Sequence, residues 1–257
     1  MAERIDIEQE FPAAIRRADG QVVAELLPTK SPDFDNADYV FLNHGVIAEL
    51  KCLTKNVVLD PDFTAKLGKL YAKLMRERRA PVVFGRVRVS LEQIARFDER
   101  AAFEFLEPYK KRLAKVLEKA NTQIKETARH FQIQQPKGLL VLANDGDMGL
   151  ELDLLLHLLS RLLRDRYRSI NAVLYFTANA DLAVNVPDFQ PSLVWMPLGI
   201  PGRTSVDESL LTRLRDAWFT HVAALTGGGI LAKAMGDGNE GANLRFTNSV
   251  RPRIHLD

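Results

Sequence analysis

The sequence predicts an α/β protein, because helix-like and strand-like patterns alternate along its 257 residues. Amphipathic stretches with helical spacing are followed by short β-rich apolar runs, and turns rich in Gly, Pro and Asp separate them. The hydrophobic fraction of 46% is sufficient for a sizeable core. We expect one elaborated domain over residues 1–257, because no clear linker divides the chain.

The chain begins with a predicted helix that leads into a strand and a loop. Residues 4–18 carry apolar side chains at helical spacing and end at Asp19-Gly20, which favours a helix stop. Residues 21–27 favour a strand, and residues 28–36 have the Pro-, Ser- and Asp-rich composition of a loop. The loop delivers the chain to the segment that carries the candidate site.

A hairpin is predicted next. The apolar runs 37–42 and 46–53 flank the short turn Asn43-His44-Gly45, so they should pair antiparallel. The capping sequence Asp60-Pro61-Asp62 predicts the start of a helix that extends to about residue 79. Residues 81–89 are predicted as another strand.

A long helical segment over about residues 101–131, with a break expected near Pro108, elaborates the fold. Ser205 and Glu208 have the spacing of a capping box for a late helix. The Gly-rich segment 227–257 favours turns and flexible backbone. The other C-terminal elements are predicted as strands at 138–143, 172–176 and 193–196 and helices at 150–166 and 206–224.

Composition excludes several classes of protein. No stretch approaches the ~18 apolar residues of a membrane span, and the opening of the chain is too acidic for a signal peptide, so we expect a cytoplasmic protein without a membrane segment. Cys52 is the only cysteine, which excludes an intrachain disulfide and a thiolate zinc cluster. The net charge of +2 means that any nucleic-acid surface must be local. Cationic stretches lie at 76–88, 110–119, 161–168 and 245–253, and each alone favours a solvated face.

Three charged residues of the hairpin form the candidate site. Strand alternation places Glu49 and Lys51 on one face and Leu50 on the other. Antiparallel pairing brings Asp38, near the start of the first strand, towards the far end of the second. Charged side chains within an apolar strand are costly to bury unless they are paired or bound to a metal ion. The pattern predicts that the three groups converge, although a solvated edge strand remains the alternative.

Such a set suits phosphodiester hydrolysis, which needs an activated water and neutralisation of the developing negative charge. Mg²⁺ prefers carboxylate oxygens, so two converging acidic side chains are a minimal protein contribution. Glu49-Leu50-Lys51 is the only acidic-x-Lys triplet in the chain, and its significance lies in the surrounding strand rather than in the triplet itself.

Residues 32–53, PDFDNADYVFLNHGVIAELKCL, resemble the core of the PD-(D/E)xK, or restriction-endonuclease-like, superfamily. The resemblance covers about residues 4–84 and implies an αβββαβ core with a mixed central sheet flanked by helices. It implies Asp38 and Glu49 as ligands of Mg²⁺, with Mn²⁺ as a substitute and the Leu50 carbonyl as a third oxygen. It assigns Lys51 to positioning or helping to deprotonate the attacking water.

Further features of the family are only partly matched. Many relatives carry an acidic residue on the first helix, and Glu10 or Glu8 is the candidate here. Asp38 is preferred to Asp33 and Asp35 because it borders the apolar strand. No Gln-x-x-x-Tyr signature of the exonuclease branch follows the motif, which leaves endonuclease and exonuclease action open.

Two functions from different classes follow. The first is a Mg²⁺-dependent deoxyribonuclease, with RNA as a less favoured substrate. The second is a catalytically inactive nuclease-like scaffold that binds nucleic acid or assembles proteins, with the 101–131 segment as the surface for a homodimer or another protein. Asn144, Asp145 and Asp147 form a separate candidate metal cluster, for which turn and capping roles are favoured because glycines are interleaved.

Overall fold

The computed structural model describes residues 4–29, 32–54, 60–84, 91–146, 152–179 and 194–227. In these ranges six strands lie side by side in chain order within one mixed sheet. The strands β3, β4 and β5 are mutually parallel, and the other pairings are antiparallel. The strands are β1 (Gln21–Val22), β2 (Tyr39–Phe41), β3 (Val46–Leu53), β4 (Lys137–Asp145), β5 (Ala172–Ala178) and β6 (Trp195–Gly199).

Helices cover both faces of this sheet, as expected for the α/β class. The α5 segment connects β3 to β4 and α6 connects β4 to β5. Because both crossovers step in the same direction between parallel strands, a common handedness places both helices on the same face. The helices are α1 (Ile7–Arg17), α2 (Val23–Leu26), α3 (Pro61–Arg76), α4 (Leu91–Phe97), α5 (Glu99–His130), α6 (Leu152–Leu163) and α7 (Glu208–Thr226).

Two apolar clusters separate the layers. On one face α1 and α7 pack on the sheet around the rings of Phe11, Phe176 and Trp218. On the other face α5 and α6 pack on the sheet, and Leu117 of α5 and Leu140 of β4 are fully buried there. Alternation along β3 therefore sends neighbouring side chains into different layers.

The predicted hairpin is confirmed. Tyr39 pairs with Ala48 and Phe41 pairs with Val46 in antiparallel register. A single 3₁₀ turn joins the strands and ends at Gly45, whose φ of 60° suits glycine and whose N–H donates to the Leu42 carbonyl at 3.1 Å. The turn fixes the register that brings Asp38 beside the far end of β3.

Two predicted strands differ from the structure within the residues that it describes. Residues 21–27 form only the two-residue β1 before the helix formers Ala24, Glu25 and Leu26 continue as α2. Residues 81–84 are irregular, with Phe84 88% exposed, and residues 85–89 lie outside the described part of the chain. The strand that pairs with β3 on the side away from β2 is β4, which corresponds to the strand predicted at residues 138–143.

The long helix differs from its prediction in two ways. It continues through Pro108, because residues on both sides of the proline, including Leu106 and Leu113, are buried in the core. It also begins at Glu99, slightly before the predicted start, and it lies on the sheet against β3 and β4. The preceding α4 was not predicted.

The remaining elements follow the predictions with shifted ends. Asp207 is the N-cap of helix α7, and its carboxylate accepts from the Ser209 N–H at 2.8 Å, so the predicted capping box at Ser205 is wrong. The Gly-rich segment beyond Gly227 lies outside the described residues. Across the described ranges, no helix is long and apolar enough to cross a membrane.

Candidate functional site

The structure brings Asp38, Glu49 and Lys51 together at the end of the β2–β3 hairpin opposite its turn. The Asp38 N–H donates to Glu49 Oε2 at 3.0 Å. In return the Leu50 N–H donates to Asp38 Oδ2 at 2.8 Å. Each carboxylate is therefore fixed by the backbone of the opposite chain segment, and Lys51 Nζ forms an ion pair with Glu49.

The alternation predicted for β3 positions these groups. Glu49 and Lys51 face α5, whereas the Leu50 side chain packs in the opposite layer with α1 and α7. Glu49 is fully buried and the Lys51 side chain is 20% exposed. A charged pair is thus enclosed beneath α5, with Lys51 nearer the solvent.

Helix α5 supplies a fourth side chain to the site. The Gln123 carboxamide accepts from Lys51 Nζ at 3.0 Å and donates to the Asn36 carbonyl at 2.8 Å. One turn later, the Thr127 hydroxyl accepts from the Ala37 N–H at 2.7 Å. The two polar residues hold the chain entering β2 and fix the position of the Lys51 ammonium.

Sequence reasoning missed Gln123 and Thr127. The available signal was their spacing of four residues on a helix side that carries Ala120 and Ile124, which are buried in the core. Polar side chains at such positions need partners in the folded protein. Their partners lie more than 70 residues away along the chain, which local patterns do not specify.

The electrostatics of the site follow from its burial. Burial, followed by repulsion from Asp38, raises the pKa of Glu49 to about 8. Burial also raises the pKa of Asp38, although the Leu50 N–H and the charges of Lys51 and Lys119 oppose that rise. Two adjacent carboxyl groups in this setting favour a bound proton or a cation over two free negative charges.

The oxygen donors of Asp38 and Glu49 are of the kind that a hard divalent cation prefers. Mg²⁺ commonly takes one or two protein carboxylates and keeps several waters. Asp38 and Glu49 provide two carboxylates, while the role of the Leu50 carbonyl as a third oxygen stays a prediction. Nowhere in the described ranges do three or more His, Cys, Asp or Glu side chains form a group that could hold a metal ion. Any cation here would depend on these two carboxylates and on water.

The acidic residues proposed on the first helix do not reach this site. Helix α1 covers the opposite face of the sheet, because Ile7, Phe11 and Ile15 pack there. Glu10 Oε2 lies 2.7 Å from His221 Nε2 of α7. Glu8 lines a cavity of about 330 Å³ beside Cys52, also on the α1 side. The structure therefore separates both glutamates from the site.

The second acidic cluster has structural contacts. Asp145 accepts from Arg4 at 2.8 Å and from Asn179 at 2.6 Å. Asn144 donates to the Tyr175 hydroxyl at 3.0 Å. These bonds connect the N-terminal segment with the ends of β4 and β5, and Asp147 lies outside the described residues.

Comparison with known proteins adds no relative. The chain matches no family model, no curated protein and no solved structure. Inference about function therefore depends on the geometry of the hairpin site and on the motif that it carries.

The raised pKa of Glu49 predicts a pH-dependent stability. Between about pH 4.5 and 8 the folded protein binds more protons than the unfolded chain, so the free energy of unfolding should fall as the pH rises. A single group gives a slope of up to about 1.4 kcal/mol per pH unit. Urea unfolding in chelator should show this slope in the wild type and a clearly smaller slope in Glu49→Gln.

The matched control is Glu118→Gln, which alters an exposed glutamate of α5. Its stability should follow the wild-type pH dependence. Equal slopes for the wild type and Glu49→Gln would contradict the pKa assigned to Glu49.

Proposed function

We propose that this chain is a Mg²⁺-dependent phosphodiesterase that cuts DNA, with Asp38 and Glu49 as cation ligands and Lys51 beside the attacking water. The observation that carries the proposal is the convergence of two carboxylates and one ammonium group on the β2–β3 hairpin. Mn²⁺ is expected to substitute for Mg²⁺, because carboxylate and water ligands suit both ions.

The order of elements supports the same proposal. Helix α1, strands β1, β2 and β3, helix α5 and strand β4 follow one another as αβββαβ once α2, α3 and α4 are set aside as additions to this order. The acidic residue precedes β2 and the Glu-x-Lys triplet lies on β3, which is the arrangement that the motif requires. The last strand of this order is β4, so the part of the chain that follows the αβββαβ order extends to residue 145.

The residues have distinct roles in the proposed reaction. Asp38 and Glu49 bind the cation, and the Leu50 N–H keeps the Asp38 carboxylate in place. When bound there, Mg²⁺ would supply positive charge at the scissile phosphate and would make water a better nucleophile. Lys51, held by Gln123, orients the attacking water and stabilises negative charge that develops on the phosphate oxygens.

The proposal is tested by incubating the protein with linear and circular DNA in Mg²⁺, in Mn²⁺ and in chelator. We expect cutting with either cation and none in chelator. Cutting of the circular form identifies an endonuclease, and cutting of linear DNA alone identifies an exonuclease. Absence of cutting under all conditions would overturn the proposal.

A second candidate function is a catalytically inactive scaffold that binds nucleic acid or assembles proteins. The observation that favours it is the complete burial of Glu49 and its ion pair with Lys51, which satisfies both charges without a cation. DNA binding without cutting, unchanged by Mg²⁺, would support this function over the nuclease. Self-association in solution would support a homodimer through the outer face of α5.

A further inference from the structure

Two exposed lysines precede Gln123 on α5, the helix that contacts the candidate site through Gln123. Lys119 precedes Gln123 by one helical turn and Lys115 precedes it by two, so they stand about 40° and 80° around the helix from it. Both are exposed, whereas Gln123 reaches inward to Lys51. The lysines therefore continue the site outward along the helix surface.

The contacts of these lysines indicate no role in stabilising the fold. In the described ranges neither Lys115 nor Lys119 is in an ion pair with a carboxylate. Exposed charges of this kind contribute little to stability. Two exposed positive charges thus stand on the helix that covers the dicarboxylate pair.

We propose that Lys115 and Lys119 bind phosphates of a DNA strand that runs along α5 into the Asp38–Glu49–Lys51 site. This inference rests on the proposed nuclease function and specifies the path of its substrate. The two lysines are about 6 Å apart along the helix axis, and phosphates follow one another at a rise of about 3.4 Å per strand. The pair therefore spans about two nucleotides next to the phosphodiester that is cut.

The same helix offers a matched control. Lys111 and Lys125 are also exposed. Lys111 lies more than three helical turns before Gln123 and about 120° around the helix from it, and Lys125 lies about 160° around the helix from Gln123. A Lys111→Gln/Lys125→Gln variant removes the same charge from the same helix as Lys115→Gln/Lys119→Gln. Comparison of the two separates a local phosphate path from general attraction to a basic protein.

Binding is measured in a Lys51→Ala background with Mg²⁺, so that the strand is held and not cut. Single-stranded and duplex oligonucleotides of one sequence are titrated between about 50 and 200 mM salt. Lys115→Gln/Lys119→Gln should bind about tenfold more weakly at low salt. The slope of log K against log salt should become shallower by about 1.4 for the single strand or about 1.8 for the duplex. The larger loss identifies the form of DNA that follows the path.

Lys111→Gln/Lys125→Gln should keep the affinity within about twofold of the background. The proposed path would be overturned if both double variants bound DNA equally more weakly, or if both kept the affinity of the background. It would also be overturned if the Lys51→Ala background bound no DNA. The nuclease function is tested separately, by the cutting of DNA by the wild-type protein. A wild type that cuts DNA while the double variants bind alike refutes the path alone.

Discussion

Asp38→Asn and Glu49→Gln are each expected to lower the rate of Mg²⁺-dependent DNA cutting by about 10³-fold or more, since a bound cation contributes several kcal/mol to the transition state. Each change replaces a carboxylate with a neutral amide that fits the same space but is a weak ligand for Mg²⁺. Both backbone donors that hold these side chains, the N–H groups of Asp38 and Leu50, retain an oxygen acceptor. The measurement is the initial rate of cutting at saturating Mg²⁺.

Asp35→Asn is the matched control for this loss. Asp35 is exposed in the loop before β2, and its N–H rather than its carboxylate contacts Glu126 at 2.8 Å. It should therefore cut at the wild-type rate. Near wild-type cutting by Asp38→Asn or Glu49→Gln, with folding verified by a cooperative unfolding transition, would exclude these carboxylates from the reaction.

The second large effect is expected from Lys51→Ala. Removal of the ammonium group should lower kcat by about 10²–10³-fold, as loss of a positioned donor to the transition state does. The carboxylates remain in the variant, so its affinity for Mg²⁺ should be retained. We expect the change in kcat to exceed the change in KM, because the interaction strengthens as charge develops on the phosphate.

Lys125→Ala, which alters an exposed lysine on the outer side of α5, serves as its control and should leave both kinetic constants unchanged. Equal cutting by the wild type and Lys51→Ala would remove Lys51 from the proposed mechanism. A Lys51→Ala variant that fails to bind Mg²⁺ would instead assign the lysine to holding Glu49 in place.

The hairpin could be predicted from the sequence because its determinants are local. The Gly45 turn, the apolar runs and the two-residue alternation all lie within about 20 residues. These features place Asp38, Glu49 and Lys51 together before any long-range contact is considered. The structure reproduces that arrangement.

Long-range features could not be predicted in the same way. Gln123 is 72 residues from Lys51, and its contact depends on the way α5 crosses the sheet. Glu10 lies apart from the other predicted site residues, on the opposite face of the sheet, because the apolar face of α1 shows that the helix packs on the sheet but not on which side. The handedness of the connections between strands determines which face of the sheet a helix covers, and the amphipathic pattern of one helix does not indicate that face.

The strand next to β3 shows a related limit. Residues 81–84 have strand-like composition, yet Val82 is 67% exposed and, in the described part of the chain, these residues pair with no strand. The chain passes through α4 and α5 before β4 pairs with β3 in parallel register. Local β propensity did not show whether residues 81–89 or residues 138–143 would pair with β3, because tertiary packing determines which strands become neighbours in a sheet.

Direct titration with Mn²⁺, followed by its electron paramagnetic resonance signal, tests the central claim that Asp38 and Glu49 form a cation site. The wild-type protein should bind Mn²⁺ saturably and release it to excess Mg²⁺, Asp35→Asn should behave alike, and Asp38→Asn and Glu49→Gln should lose this binding. A wild type that binds no Mn²⁺, or carboxylate variants that bind it as well as the wild type, would contradict the claim.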